Sequence, residues 1–298
     1  MSQQAAEIWK EALLLPGETS LAASALRELA EYFRISPAEA ERRCQSALVD
    51  SRQEWEAGAR ASSEQVLDFY DQTESYIFEH VWWHVEDIDG NAVNVRIMEY
   101  ARRLGATEYL DFGSGVGANA LLAARQGLRV TLADVSGSML AFARWRMERR
   151  GLTAGYVYLR EQPLPAGKFD FATAMDVMEH LQNPAAEISR VSRALRPGGV
   201  FVFNARPGHD PARPMHILPT MYPVYQGLRG AGLRTQEGPD VTDLRREGCF
   251  VCRRAGDGPL IDPLINFGWK MYDRIRYSAV AETGSHLLNA ALGRRSAG

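Results

Sequence analysis

The chain changes its hydrophobic rhythm once. Through the first hundred residues apolar positions recur every three or four. From about Gly105 onward, short apolar runs alternate with amphipathic stretches. In "TSLAASALRELAEYFRIS", Leu26, Leu29 and Phe33 share one helical face. "SPAEAERRCQSAL" opens with a helix entry signal: Ser36 caps, Pro37 fits the first turn and Glu39 completes a capping box. Residues 64–104 also predict helix, divided by a break at 86–91 and unusually aromatic in "FYDQTESYIFEHVWWHV". Beyond that point strands are predicted at 108–112, 128–133, 155–160, 169–175 and 199–205, with helices at 117–126, 137–150 and 183–194. Such alternation predicts a parallel sheet with helices on both faces. Two short strands follow, near 233–238 and 247–253, and "DLRREGCFVCRRA" can return antiparallel to its neighbour. "FGWKMYDRIRYSAVAE" predicts a further amphipathic helix within 257–298.

Composition narrows the class only slightly. Of 298 residues, 46% are hydrophobic and 24% charged, ordinary globular values. A net charge of −3 gives no general attraction to nucleic acid or to an anionic membrane. No apolar run is long enough to span a bilayer, and the N-terminus has neither the basic region nor the apolar core of a secretory signal. Three cysteines, Cys44, Cys249 and Cys252, are an odd, low count that fits a reducing compartment. The expectation is a cytoplasmic protein without nucleic-acid or membrane partners. The arginines of "RWRMERR" (144–150) read as a solvated helix face rather than an RNA track.

The chemistry concentrates in "EYLDFGSGVGANAL", where a strand runs into a glycine turn and a helix. Gly113, Gly115 and Ala118 satisfy a dinucleotide fingerprint. Gly113, Gly115 and Gly117 equally satisfy the pattern of S-adenosylmethionine enzymes. Asp134 ends the next strand, where a carboxylate accepts both hydroxyls of a ribose in either ligand. Asp111 discriminates: beside a pyrophosphate it would repel, whereas it suits the amino group of S-adenosylmethionine.

Four motifs in order, "LDFGSGVGANAL", "VTLADVSGSML", "FDFATAMDVMEHL" and "LRPGGVFVF", resemble the class I S-adenosylmethionine-dependent methyltransferases of small-molecule type over roughly residues 105–254. The resemblance implies an α/β fold: a Rossmann-like, doubly wound, seven-stranded sheet with an antiparallel last strand. The N-terminal helices would form a lid. It divides the chain into a helical lid and substrate region at 1–104, an S-adenosylmethionine-binding domain at 105–256 and a C-terminal helical extension at 257–298. It implies that Asp111, Gly113, Ser114 and Gly115 line the methionine and ribose side. Asp134 would hold the ribose, Val135 and Met139 would flank adenine, and Met175 would meet the ligand through its backbone. Glu161 is the candidate for the adenine amino group, although Arg160 stands close to that position. Tyr70 or Tyr76 would reach the cofactor from the lid.

The second substrate should enter beyond the carboxyl ends of the strands. His180 in "DVMEHL", His84, His216 and Tyr76 are the candidates to handle an acceptor's proton, with His180 equally able to shape its loop. His80 and His84 stand at helical i, i+4 spacing, but the metalloprotease pattern needs Glu at 81, where Val81 stands, so no metal is expected. Cys249 and Cys252 read as strand residues. Three functions stay open. The first is methyl transfer to O, N or C of a small molecule. The second is cleavage of another carbon–sulfur bond of the same cofactor, moving or cyclising its aminobutyrate arm and releasing methylthioadenosine. The third is non-catalytic S-adenosylmethionine binding. The aromatic helical layer serves as well for a homodimer interface as for a lid.

Overall fold

The computed structural model describes residues 3–256 except 59, 61 and 209. The helix expected within 257–298 lies outside the described residues. Seven helices come first: α1 (Gln3–Leu13), α2 (Leu21–Phe33), α3 (Pro37–Ala57), α4 (Ser63–Gln72), α5 (Ser75–Glu86), α6 (Ile88–Asn91) and α7 (Val93–Arg103). Their starts follow local chemistry. Ser36 Oγ accepts from Glu39 N at 3.1 Å, while the Glu39 carboxylate pairs with Arg42. A full capping box forms at Ser62 and Gln65 instead. The break in the aromatic region becomes the short α6, started by Asp87, whose carboxylate accepts from Gly90 N at 2.9 Å.

The alternating half contains β1 (Glu108–Phe112), α8 (Ala118–Arg125), β2 (Arg129–Asp134), α9 (Gly137–Arg149), β3 (Gly155–Tyr158), β4 (Phe169–Ala174), α10 (Pro184–Ala194) and β5 (Leu195–Phe203). It closes with α11 (Tyr222–Gly230), β6 (Leu233–Thr235), α12 (Pro239–Arg246) and β7 (Phe250–Arg254). The seven strands lie in the order β3-β2-β1-β4-β5-β7-β6. β1 to β5 pair in parallel, and β7 runs antiparallel to both β5 and β6. The expected seven-stranded sheet with a reversed last strand is present. Winding reverses between β1 and β4, which opens a crevice at their carboxyl ends. The stretch "DLRR", which leads into the expected antiparallel strand, is the end of α12. Pro239 sits in its first turn and Val241 and Leu244 bury one face.

Strand residues alternate between two cores, as a pleated sheet requires. Tyr109, Phe171, Val200 and Val202 face one side, with Trp9 and Leu13 of α1 and Val95, Ile97 and Met98 of α7. Leu110, Phe112, Ala172, Phe201 and Phe203 face the other, with Ile188 and Val191 of α10 and Val224 and Leu228 of α11. A third core joins α2–α5 to α9 and the glycine turn through Leu29, Phe78, Phe142, Met139 and Val116. Packing therefore divides residues 1–104: α1 and α7 share the sheet's core, and α2–α5 cover its carboxyl edge.

The arginines of α9 correct one sequence expectation. Arg144 and Arg149 are exposed, as a solvated face requires, but the other two arginines of 144–150 turn inward. Arg146 and Arg150 are buried and both pair with Glu28 of α2. Arg146 Nη1 also donates to the Val116 carbonyl at 2.8 Å. The cover helix supplies the acid that makes their burial possible. Cys44, Cys249 and Cys252 are buried cysteines, none of them in a disulfide. Among the described residues no group of side chains is arranged to hold a metal ion, and no helix is long and apolar enough to cross a membrane.

Candidate active site

The glycine turn is dictated by both conformation and space. Gly113, Gly115 and Gly117 all have positive φ, at 68°, 49° and 76°. A Cβ at Gly113 would stand 2.5 Å from Val177 Cγ2, and one at Gly117 2.9 Å from Ala143 Cβ. The turn is held by Asp134: its carboxylate accepts from Gly115 N at 2.8 Å and from Ser136 N at 2.9 Å. Burial raises the Asp134 carboxyl above its ordinary value, against the pull of these backbone donors.

A cavity of about 220 Å³ lies on this turn, bounded by Gly113, Gly115, Asp134, Val135, Met139 and Leu159. Tyr70 and Tyr76 close it from α4 and α5. Asp111 and Ser114 are buried behind the turn. Asp111 Oδ1 lies 3.3 Å from the Thr173 hydroxyl, while Asp111 Oδ2 and Ser114 Oγ lack hydrogen-bond partners. Burial pushes the Asp111 carboxyl up to about 7. Two candidates stand elsewhere. Glu161 is exposed on the turn after β3, and Met175 borders a separate cavity with Trp83 and Asn94. After β3, Arg160 instead reaches to α4 and pairs with Glu64 and Asp68.

A second cavity of about 380 Å³ adjoins the first. It is walled by Trp82, Trp83 and Glu79 of α5, by Glu179 after β4, and by Arg206, Arg213 and His216 after β5. Tyr76, His80, Asp176 and His180 border both cavities. Asp176 is held at a positive φ of 53°, a backbone costing roughly 1–2 kcal/mol outside glycine. Asn204 clamps it, accepting from Asp176 N at 2.5 Å and donating to Asp176 Oδ1 at 2.9 Å.

Of the four proton-handling candidates, His216 lines the second cavity and the other three fare differently. His180 lies at the shared wall, with Nδ1 3.0 Å from the Tyr70 hydroxyl and Nε2 3.4 Å from the Tyr76 hydroxyl. Burial, and then the neighbouring His216, lower it to about 3, so the ring is neutral. Burial raises the Tyr76 hydroxyl well above its ordinary value, so it stays protonated. His84 borders neither of these two cavities: its ring packs edge-on against Trp9 at 5.6 Å, and burial holds it well below the usual histidine range.

Sequence reasoning missed Asp71. Its carboxylate accepts from Gly137 N at 2.6 Å and from the Tyr158 hydroxyl at 3.0 Å, fastening α4 over the start of α9. No local pattern marks it, because both partners are distant in sequence. Glu179 and Asp176 were visible within "DVMEH", but not which of their side chains faces a cavity.

A methyltransferase-domain family model matches residues 110–203. Ubiquinone biosynthesis O-methyltransferase of Azotobacter vinelandii is 30% identical over 133 residues, covering 42% of this chain and 57% of that protein. The protein of the same name from Methylococcus capsulatus is 29% identical over 136 residues, covering 42% and 56%. The chain thus spans a little over half the length of the curated relatives it matches. Among solved structures, a Haemonchus contortus phosphoethanolamine N-methyltransferase gives a TM-score of 0.48 at 18% identity, covering 66% of this chain and 61% of that one. The ordered motifs and the seven-stranded sheet they build agree with the domain match: residues 110–203 are similar to a methyltransferase domain.

Proposed function

We propose that the protein transfers a methyl group from S-adenosylmethionine to a small molecule. The observation that carries this is the pair of adjoining cavities, one on the glycine turn and one beyond a shared wall of Tyr76, His80 and His180. A separate chamber suits an external acceptor. Cleavage of the aminobutyrate arm within the cofactor, or binding without catalysis, would give that chamber no role.

The residues present fit S-adenosylmethionine. Asp111 Oδ2 and Ser114 Oγ are buried polar atoms without partners behind the turn, suited to an amino group and a carboxylate. A side chain at Gly113 would intrude on the space. Asp134 would take the ribose hydroxyls, with Val135 and Met139 against the adenine. Tyr70 and Tyr76 offer ring faces to a sulfonium. Two carboxylates beside the turn suit a cation and oppose a pyrophosphate. The exposed Glu161 has no role in this reading; Leu159 forms the cavity wall after β3 instead.

When bound, the cofactor would supply an electrophilic methyl group on a positively charged sulfur. The chain's contribution is to align an acceptor lone pair with it and to keep water out. Helices α2–α5 are the proposed lid, and residues 105–256 the proposed cofactor-binding unit. The chamber's size and the net charge of −3 support a small acceptor over nucleic acid. The aromatic helical layer supports a homodimer interface, and the low cysteine count supports a cytoplasmic location.

Calorimetric titration with S-adenosylmethionine, S-adenosylhomocysteine and NAD tests the reading. Binding of the first two and not the third is expected. Binding of NAD alone would overturn it.

A further inference from the structure

Resting on the methyl-transfer reading, a second question can be put to the chamber: which group takes the acceptor's proton? A neutral imidazole has one donor and one acceptor nitrogen. His180 already has both engaged, by Tyr70 and Tyr76. His216 packs edge-on against His180 at 4.8 Å, and burial and then Arg213 oppose its protonation. His80 is held at about 4 by burial and again by Arg213.

Glu179 differs from all three. It borders the acceptor chamber and not the cofactor cavity. The residue is 1% exposed, and its Oε2 has no hydrogen-bond partner. A buried orphan oxygen of this kind is costly unless a ligand completes it. The backbone there is fixed, because the Glu179 carbonyl accepts from Ile217 N at 2.8 Å and Leu218 N at 3.1 Å. The side chain is therefore anchored at the chamber wall. Facing charges come from three elements. Glu79 lies on α5; Arg206, Arg213 and His216 follow β5; Asp176 and His180 flank Glu179 itself. Burial, then the Asp176 carboxylate, pushes the Glu179 carboxyl up to about 7. A base with that value is matched to proton removal near neutral pH.

We infer that Glu179 is the general base of the reaction, and that the acceptor is a hydroxyl or N–H compound rather than a thioether or tertiary amine. The O–H or N–H bond breaks toward Glu179 Oε2 as the lone pair forms its bond to the methyl carbon. The carbon–sulfur bond breaks, and its electron pair returns to sulfur. Glu179 then releases the proton to water.

The test supplies S-adenosylmethionine and a small-molecule cell extract supplemented with catechol and hydroxybenzoate. It compares the wild type with Glu179→Gln and Glu179→Asp, measuring S-adenosylhomocysteine formation against pH, product mass, and S-adenosylhomocysteine affinity by calorimetry. Glu179→Gln should slow turnover by about 100-fold or more with affinity unchanged. Raising the pH should recover part of the rate, since the acceptor then ionises unaided. The product should gain CH2 with no new charge. Wild-type speed in Glu179→Gln at every pH, or a product bearing an added fixed positive charge, would overturn the inference alone. No S-adenosylhomocysteine from the wild type would overturn the methyl-transfer reading, and the inference with it. Should Glu179→Gln lose its affinity along with its fold, Glu179→Asp decides: the acid limb of its rate profile should move, and an unmoved limb overturns the inference.

Discussion

Arg146 grips Glu28 with its Nε 3.2 Å from each carboxylate oxygen, and both side chains are out of water. The same guanidinium donates to the carbonyl of Val116 in the glycine turn. One buried ion pair thus joins the cover helix α2 to the cofactor turn, and Arg150 supplies a second positive charge to the same carboxylate.

Removing Glu28 would strand two buried arginines. Glu28→Ala should cost roughly 3–5 kcal/mol of unfolding free energy, the range for breaking a buried pair from one side. Denaturant unfolding measures it. The two arginines hold the Glu28 carboxyl below its ordinary value, outweighing burial, which is the largest influence and acts the other way. A lowered carboxyl contributes stability that is complete above its unfolded value of about 4.5 and is lost as pH falls through the folded one. Wild type should therefore lose this contribution in acid below about that pH, and Glu28→Gln should lack that component.

His180 should be silent in ordinary assays. Its ring is held at about 3, so ring NMR signals should keep their neutral positions through the range where a free histidine titrates. An inflection near 6.5 would contradict the packing described. Since the unfolded ring takes up a proton that the folded one refuses, this burial lowers stability as pH falls from about 6.5 toward 3. Tyr70→Phe removes a neighbour of Nδ1 and should disturb the wall between the cavities, lowering turnover more than cofactor affinity.

Cofactor affinity should depend on Asp111. In the free protein its carboxyl stands at about 7, so near neutral pH part of the population is protonated. A bound ammonium favours the ionised form. Affinity for S-adenosylmethionine should therefore rise as pH climbs through about 7, with a proton released on binding. Calorimetry in buffers of different ionisation enthalpy counts that proton. Asp111→Asn should weaken binding and flatten the dependence.

Gly113→Ala combines two penalties. The left-handed backbone costs roughly 1–2 kcal/mol, and the new Cβ would stand 2.5 Å from Val177 Cγ2. Gly113→Ala should be destabilised and bind S-adenosylmethionine weakly. Adding Val177→Ala should restore part of the stability by opening space, leaving the backbone term. Full recovery in the double variant would show that sterics alone were at work.

Local pattern carried most of the sheet. Burial of β1, β4 and β5 on both faces is written into "YLDF", "FDFATA" and "VFVF", and the glycine turn follows from residues that tolerate positive φ. What local pattern could not carry were partnerships across long loops. Arg146 looks like one arginine among several until Glu28, 118 positions away, is packed against it. Likewise, His80 and His84 share a helix face, but one helical turn carries His84 past the chamber to Trp9. Arg160 occupies the place where an adenine-binding acid was sought, and what it meets is a row of carboxylates on α4.

Methyl transfer and cleavage of the aminobutyrate arm leave different nucleosides, so the nucleoside product separates them. Purified protein would be incubated with S-adenosylmethionine alone and with a small-molecule extract, beside a heat-killed control, and the products identified by mass spectrometry. Methyl transfer requires S-adenosylhomocysteine that appears only with extract, matched by an acceptor that has gained a methyl group. Methylthioadenosine formed from the cofactor alone, above the control, would contradict it.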